Sequence, residues 1–205
     1  MKSRILAIAS AAVLLAGCGV TDKAGAAAII GETKIPSSQV TTLVNEVRVD
    51  IENTSVELLQ DLPTMTLLSQ MVIDRLVLEE ILKAAVADMN IKVTDAQVVE
   101  YRDFVFRNYG EEAVKAQLAT RNGVAAKYVD TYMYDILVQR EIMSQLAPGM
   151  PEQVQAAALY KYLSGIADKL QVEVSPRYGK WDSQVMQTTL GENFLSTTNS
   201  AEQAQ

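Results

Sequence analysis

The stretch VEVSPRYGKWD, residues 172–182, lies near the end of a 205-residue chain whose middle reads almost wholly as helix. Val172 and Val174 alternate with polar residues as in a short strand. Pro176 stops the strand, Gly179 allows a turn, and Trp181, the only tryptophan, follows. A lone strand of that length is marginal in water and needs a partner. The helical middle offers none, but the other end of the chain does. Ala28 to Ile30 is an apolar strand, Gly31-Glu32 suits a type II′ hairpin turn, and Thr33 to Pro36 is the return. Pairing Ile29 and Ile30 with Val172 and Val174 closes the domain end to end. The sequence therefore predicts a structural clasp of Ile29, Ile30, Val172, Val174, Pro176, Gly179 and Trp181, with the indole folded back over the helices. Arg177, Lys180 and Trp181 also offer a basic, aromatic surface patch as a second use of the same segment.

Working outward, spacing predicts the helices between the strands. Val40, Leu43, Val44, Val47 and Ile51 form an apolar stripe behind a cap at Ser37 or Ser38. After a connection over Thr54 to Pro63, a helix from about Thr64 to Met89 is apolar on nearly every side, with Asn90 as its stop. Only Arg75, Glu79 and Lys83 mark a narrow solvated strip, with Glu79 and Lys83 as an i,i+4 pair. A helix that apolar belongs at the centre of a bundle. Thr94-Asp95-Ala96-Gln97 is a capping-box pattern opening a third helix through Val98, Tyr101 and Val105. Glu111 to Arg121 is a fourth, closed by Gly123 in the left-handed conformation. A fifth, about Ala125 to Leu146, breaks at Pro148 and Gly149. A sixth starts on Pro151 and buries Leu159, Tyr162, Leu163, Ile166 and Leu170. The fold class is mainly α: about six helices around a long central one, closed by a small sheet joining the two ends.

The first residues read as an address. Lys2 and Arg4 precede an apolar run from Ile5 to Leu15, too short for a bilayer span, which needs about 20 residues. Leu15-Ala16-Gly17-Cys18 resembles the bacterial lipobox, in which the thiol is acylated and the chain is cut just before it. Cys18 is the only cysteine, so no disulfide can form within the chain. Residues 1–17 are read as a lipoprotein signal peptide, 18–27 as a lipidated tether, 28–182 as the folded domain and 183–205 as a disordered polar tail whose removal leaves stability unchanged. Loss of Lys2 and Arg4 leaves 16 basic against 25 acidic residues and moves the formal charge from −7 to −9. Such a surface disfavours nucleic acid and anionic lipid, so the membrane is held through the lipid alone. The expected location is the extracytoplasmic face of the cell membrane.

Ala28-Ile29-Ile30-Gly31-Glu32, then Ile35-Pro36 and a helix start, is similar to the opening of SurA-type periplasmic chaperone modules. Ile91 to Gln97 resembles the helix start that follows in those modules and in related foldase lipoproteins. Val174 to Asp182 looks like the end of actinobacterial-type lipoproteins that carry the module. In full-length SurA and the foldases a parvulin-type isomerase domain sits where this chain has only Ala147-Pro148-Gly149-Met150-Pro151, and that domain relies on histidines, of which this chain has none. The resemblance thus implies the helical chaperone core without the isomerase, with unfolded or newly exported polypeptides as partners.

The residues add little chemistry of their own. No histidine is present, no Gly-x-Ser-x-Gly elbow, no phosphate-binding glycine loop; Glu79-Glu80 and Glu111-Glu112 are adjacent and diverge on a helix. The sequence predicts no enzyme, no catalytic or metal-binding residue, no cofactor and no nucleotide. Binding fits better. Eight methionines, five of them in apolar helices, and eight tyrosines suit a surface accepting many apolar shapes. Tyr101, Phe104, Tyr109, Met133, Ile136 and Met143 are the candidate client-binding residues, around a groove with an acidic rim. Two functions stand: an ATP-independent, lipid-anchored holdase, and a structural lipoprotein that binds one specific envelope partner.

Overall fold

The computed structural model describes residues 23–59 and 62–189. The clasp forms as the two ends require. β1 (Ala26–Ile30) and β2 (Thr33–Pro36) make an antiparallel hairpin about Gly31, whose φ of 57 is the positive value that a type II′ turn places there. β3 (Glu173–Val174) docks antiparallel on the other side of β1, Ala28 facing Val174 and Ile29 facing Glu173, so the strand order is β2-β1-β3. Two bonds prolong this seam: Ser175 N–H to the Ala27 carbonyl at 2.8 Å and Gly31 N–H to the Leu170 carbonyl at 2.6 Å. Ala26 and Ala27, read as tether, belong to β1, and Ala27 is fully buried. Consecutive alanines carry no alternation by which a strand could be told from a linker.

α1 (Ser37–Glu52) buries Val40, Leu43, Val44 and Val47 as its stripe predicts. Neither serine caps it. Pro36, the last residue of β2, holds the N-cap position without a side-chain acceptor, and the Ser37 amide bonds the Gly25 carbonyl at 2.8 Å instead. A single 3-10 turn at Val56–Leu58 leads to α2 (Met65–Met89), capped by Thr64 and ended by Asn90 at φ 52. Its supposed solvated strip is only partly so. Arg75 is 8% exposed and pairs with Glu79, while Lys83 pairs with Glu80 at 2.5 Å rather than with Glu79. The Arg75 guanidinium also lies 5.7 Å from the centre of the Tyr128 ring, so α2 is covered at Arg75 while Lys83 stays exposed.

α3 (Asp95–Tyr109) opens with the expected capping box: the Gln97 amide donates to Thr94 Oγ1 and the Thr94 amide to Gln97 Oε1. Gly110 alone separates it from α4 (Glu111–Asn122). Gly123 ends α4 at φ 61, and a Cβ there would lie 3.1 Å from Met71 Cβ, so the chain crosses α2 only as glycine. A 3-10 turn at Ala126–Tyr128 takes the expected first turn of α5 (Val129–Leu146). Pro151 precedes α6 (Glu152–Lys169) as its N-cap. α6 buries Leu159, Leu163 and Ile166, whereas Tyr162 is half-buried and donates its hydroxyl to Asp88 at 2.7 Å.

The largest departure follows Asp182. β4 (Lys180–Asp182) pairs antiparallel with β5 (Gln187–Thr189), and Met186 between them is 6% exposed in the main core. The segment read as a polar tail from Ser183 is therefore folded as far as Thr189. Only one apolar residue in that loop is buried, too few to register as a pattern. Residues 190–205 lie outside the described residues, as do the leader 1–17, Cys18 and the tether up to residue 22.

Two cores result. The main one surrounds α2 and joins the clasp to α1, α5 and α6. A smaller one, of Val98, Val114, Leu118, Val124, Val129 and Met133, lies under α3 and α4. Among the described residues no helix is long and apolar enough to cross a membrane.

Candidate functional site

The six residues read as a client surface are scattered. Met133 is 2% exposed in the smaller core, contrary to the surface role expected of it, because α3 and α4 fold over that face of α5. Ile136 is partly buried against the same cluster and Met143 against the main one. Tyr101 is partly covered by the Arg140 guanidinium, 4.5 Å from its ring centre. Phe104 and Tyr109 are exposed, at 53% and 72%. Five positions apart on one helix, they point about 140° away from each other and form no common patch.

The concave apolar surface lies at the clasp. An open groove of about 820 Å³ is floored by Ala26 to Ile29 of β1 and walled by Val172 to Pro176 and by Gly179, Lys180 and Trp181. All the predicted clasp residues except Ile30 line it, so the elements that close the domain also shape its groove. Three of the four β1 residues there are alanine, and larger side chains would occupy the space.

The outer wall stands where it does because of four contacts. A turn over Pro176 to Tyr178 is held by the Tyr178 amide on the Ser175 carbonyl at 2.9 Å, and the Tyr178 ring is buried. Gln70 of α2 donates to the Tyr178 carbonyl at 3.0 Å. Gly179 follows at φ 121, with the Thr189 carbonyl oxygen 2.7 Å from where a Cβ would sit, so any other residue would collide with β5. Asp74 of α2 accepts the Thr188 amide at 2.8 Å and fastens the hairpin from behind. Sequence reasoning missed Gln70, Asp74, Tyr178 and Met186. Gln70 and Asp74 did leave a signal, two polar residues four apart on a helix apolar on most other sides.

Charge at the groove is not that of the whole chain. Lys23 and Glu173 pair across its mouth at 2.5 Å, and Lys180 stands exposed on the rim. The rim of this groove thus carries Lys23, Lys180 and Glu173. Trp181 lines the groove, and its indole Nε1 is shielded from water without an acceptor. A buried, unanswered donor costs about 1–3 kcal/mol and is unusual in a settled structure.

Two carboxyls behind the working surfaces are displaced from their ordinary range. Burial pushes Asp74 up to about 6, with the Thr188 hydrogen bond pulling partly the other way. Burial, with Glu79 beside it, pushes Asp135 up to about 7 against the pull of Arg75 and Lys83. Among the described residues no group of three or more His, Cys, Asp or Glu is placed to hold a metal ion.

The family model for the SurA-like N-terminal domain matches residues 2–108, just over half of the chain. The chain belongs to this family. The match takes in β1, β2, α1, α2 and nearly all of α3, hence the floor of the groove, while its β3–β4 wall lies beyond. No curated protein and no solved structure matches the chain. Membership of the SurA-like N-terminal family is consistent with a chaperone-like role.

Proposed function

We propose that this SurA-like protein is a lipid-anchored, extracytoplasmic holdase that shields unfolded or newly exported polypeptides without ATP and without proline isomerase activity. The observation that carries this reading is the groove at the clasp: concave, mainly apolar and broad enough for several side chains of an unfolded chain. Family membership supplies the polypeptide as the class of ligand. The absence of histidine and of any nucleotide motif from the sequence argues against isomerase chemistry and an ATP cycle. The anchor rests on the Leu15-Ala16-Gly17-Cys18 tetrapeptide behind a charged, apolar leader, with several acyl chains required for stable attachment.

Light scattering from a denatured client, with increasing protein and no ATP, tests the holdase. Suppression of aggregation without acceleration in a protease-coupled isomerase assay is the expected pair of results. The scatter of the six expected client residues favours the alternative, a structural lipoprotein with one envelope partner. A membrane crosslinking pull-down that recovers one folded protein at fixed stoichiometry, with no suppression at several-fold excess, replaces the holdase by that alternative. Fatty-acid labelling that marks the wild type and not Cys18→Ala tests the anchor; failure to mark the wild type refutes it.

A further inference from the structure

Closing the domain does not account for the charges on the outer side of the clasp. Ile29 of β1 faces Lys34 across one ladder and Glu173 across the other, so these three side chains share the sheet's outward side. Lys34 and Glu173 are exposed there. The Lys34 ammonium donates to the Ala24 carbonyl at 2.8 Å, which draws it to the point where the chain enters β1. Lys23 stands at that same point, bonded to Glu173, and lines the groove with Lys180 and Trp181. The seam bond from Ser175 to Ala27 brings Pro176 and the exposed Arg177 to this end of β1 as well. Lys23, Lys34, Arg177 and Lys180 therefore gather around the entry of the chain, although they come from both of its ends. On β1 to β4 the acidic residues are Glu173 and Asp182, and Glu32 sits in the hairpin turn at the opposite end of β1.

The way in fixes what this end can meet. Cys18 is five residues before Lys23, a separation of at most about 18 Å even when the chain is fully extended. Acyl chains on Cys18 would thus hold the entry of the clasp within that distance of a bilayer. We propose that this end of the clasp is a membrane-contact face, where Lys23, Lys34, Arg177 and Lys180 take anionic lipid headgroups and Trp181 stands beside them at the interface. The proposal rests on the anchor reading above and adds an orientation to it. The net acidity of the chain does not oppose it, because charges more than about 8–10 Å from the headgroups are largely screened at physiological ionic strength. The groove opens on the same face, so a client enters it by displacing the contact.

Trp181 is the only tryptophan and therefore reports on this face. The acylated, processed protein is placed in vesicles that carry a headgroup-labelled quencher, made of phosphatidylcholine alone or of phosphatidylcholine and phosphatidylglycerol in equal parts. Trp181 emission is expected to be quenched more strongly in the anionic vesicles, and the excess is expected to vanish at high salt. Each basic residue near an anionic surface contributes about fivefold in partitioning, so Arg177→Gln with Lys180→Gln is expected to shift the balance toward the undocked orientation by about 25-fold. Both positions are exposed, and circular dichroism verifies that the fold is kept. Equal quenching in the two vesicles, no quenching in either, or an excess that survives salt or the double variant overturns the face while leaving the anchor intact. If fatty-acid labelling does not mark Cys18, the anchor reading falls by itself, and co-flotation of the unacylated chain with the same vesicles tests the face. Salt-sensitive capture by the anionic vesicles alone upholds it; capture indifferent to lipid charge, or none, overturns it.

Discussion

The clasp and the α3–α4 hairpin both sit at the periphery, and they expose opposite kinds of surface. α3 displays large side chains, Phe104 and Tyr109, on a helix whose interior main-chain groups bond one another. The clasp displays little bulk and instead walls a concave, mainly apolar hollow. Scattered apolar side chains are normal on any surface and carry no site by themselves. A concave apolar hollow does point to a ligand. The two regions also differ in how they are built, since α3 and α4 are neighbours in sequence while the clasp joins residues nearly 150 positions apart.

The strongest way to break this contrast is truncation. Ending the chain after Leu170 removes β3 to β5, with Tyr178 and Met186, and bares β1 and α2. Loss of a cooperative thermal transition by circular dichroism is expected, and a transition like that of the full chain would show that the clasp closes nothing. Ending it after Asp182 removes β5 and Met186 and is expected to lower the midpoint by several degrees, against the sequence-based expectation of no change.

Next in size is the smaller core. Met133→Ala leaves a hole beneath α3 and α4 and is expected to cost about 2–5 kcal/mol in urea unfolding. Client holding by the remaining folded protein should persist, because Met133 is remote from the groove lining; parallel loss of both would merge the two regions into one site.

The buried carboxyls sharpen the comparison through pH. With no histidine in the chain, Asp74 behind the clasp and Asp135 beside α2 are the described groups displaced to about 6 and about 7. Both are raised above their unfolded values, so folding is favoured by their protonation. Stability is full below about pH 4 as far as they are concerned, falls as pH rises through 6 and 7, and levels off above. Asp74→Asn and Asp135→Asn are each expected to stabilise by about 1–3 kcal/mol at pH 8 and to do little at pH 4. Asp74→Asn keeps an acceptor for the Thr188 amide, so a loss of stability at pH 8 would mean that the charge itself fastens the hairpin.

The smallest effect belongs to the exposed ring. Phe104→Ser is expected to change stability by no more than about 0.5 kcal/mol and aggregation suppression not at all. A marked fall in suppression would return the client surface to α3.

Much of the fold was legible because its signals are local. The stripe of α1, the capping box at Thr94, the stops at Asn90 and Gly123 and the turn at Gly31 each depend on a few adjacent residues and on backbone preference. The pairing of the two ends was legible by elimination, since two unpartnered strands in a helical chain have only each other. The candidate site was less so. Its clasp residues were named for closure, and six others were named for binding because bulky residues are what composition makes visible.

What the sequence by itself determined is therefore the helix set, the end-to-end clasp and the absence of histidine and thiol chemistry from the folded body. Only the tertiary structure decided which apolar residues are surface and which are core. Met133 and Phe104 look alike in a helical pattern, and the difference between 2% and 53% exposure comes from which neighbouring helix crosses above each. It also decided that Ser183 to Thr189 folds, since one buried methionine and one amide on Asp74 are long-range contacts with no local signature. The groove is the same kind of fact. Its walls come from distant strands brought side by side, and a hollow exists only once its neighbours in space are fixed.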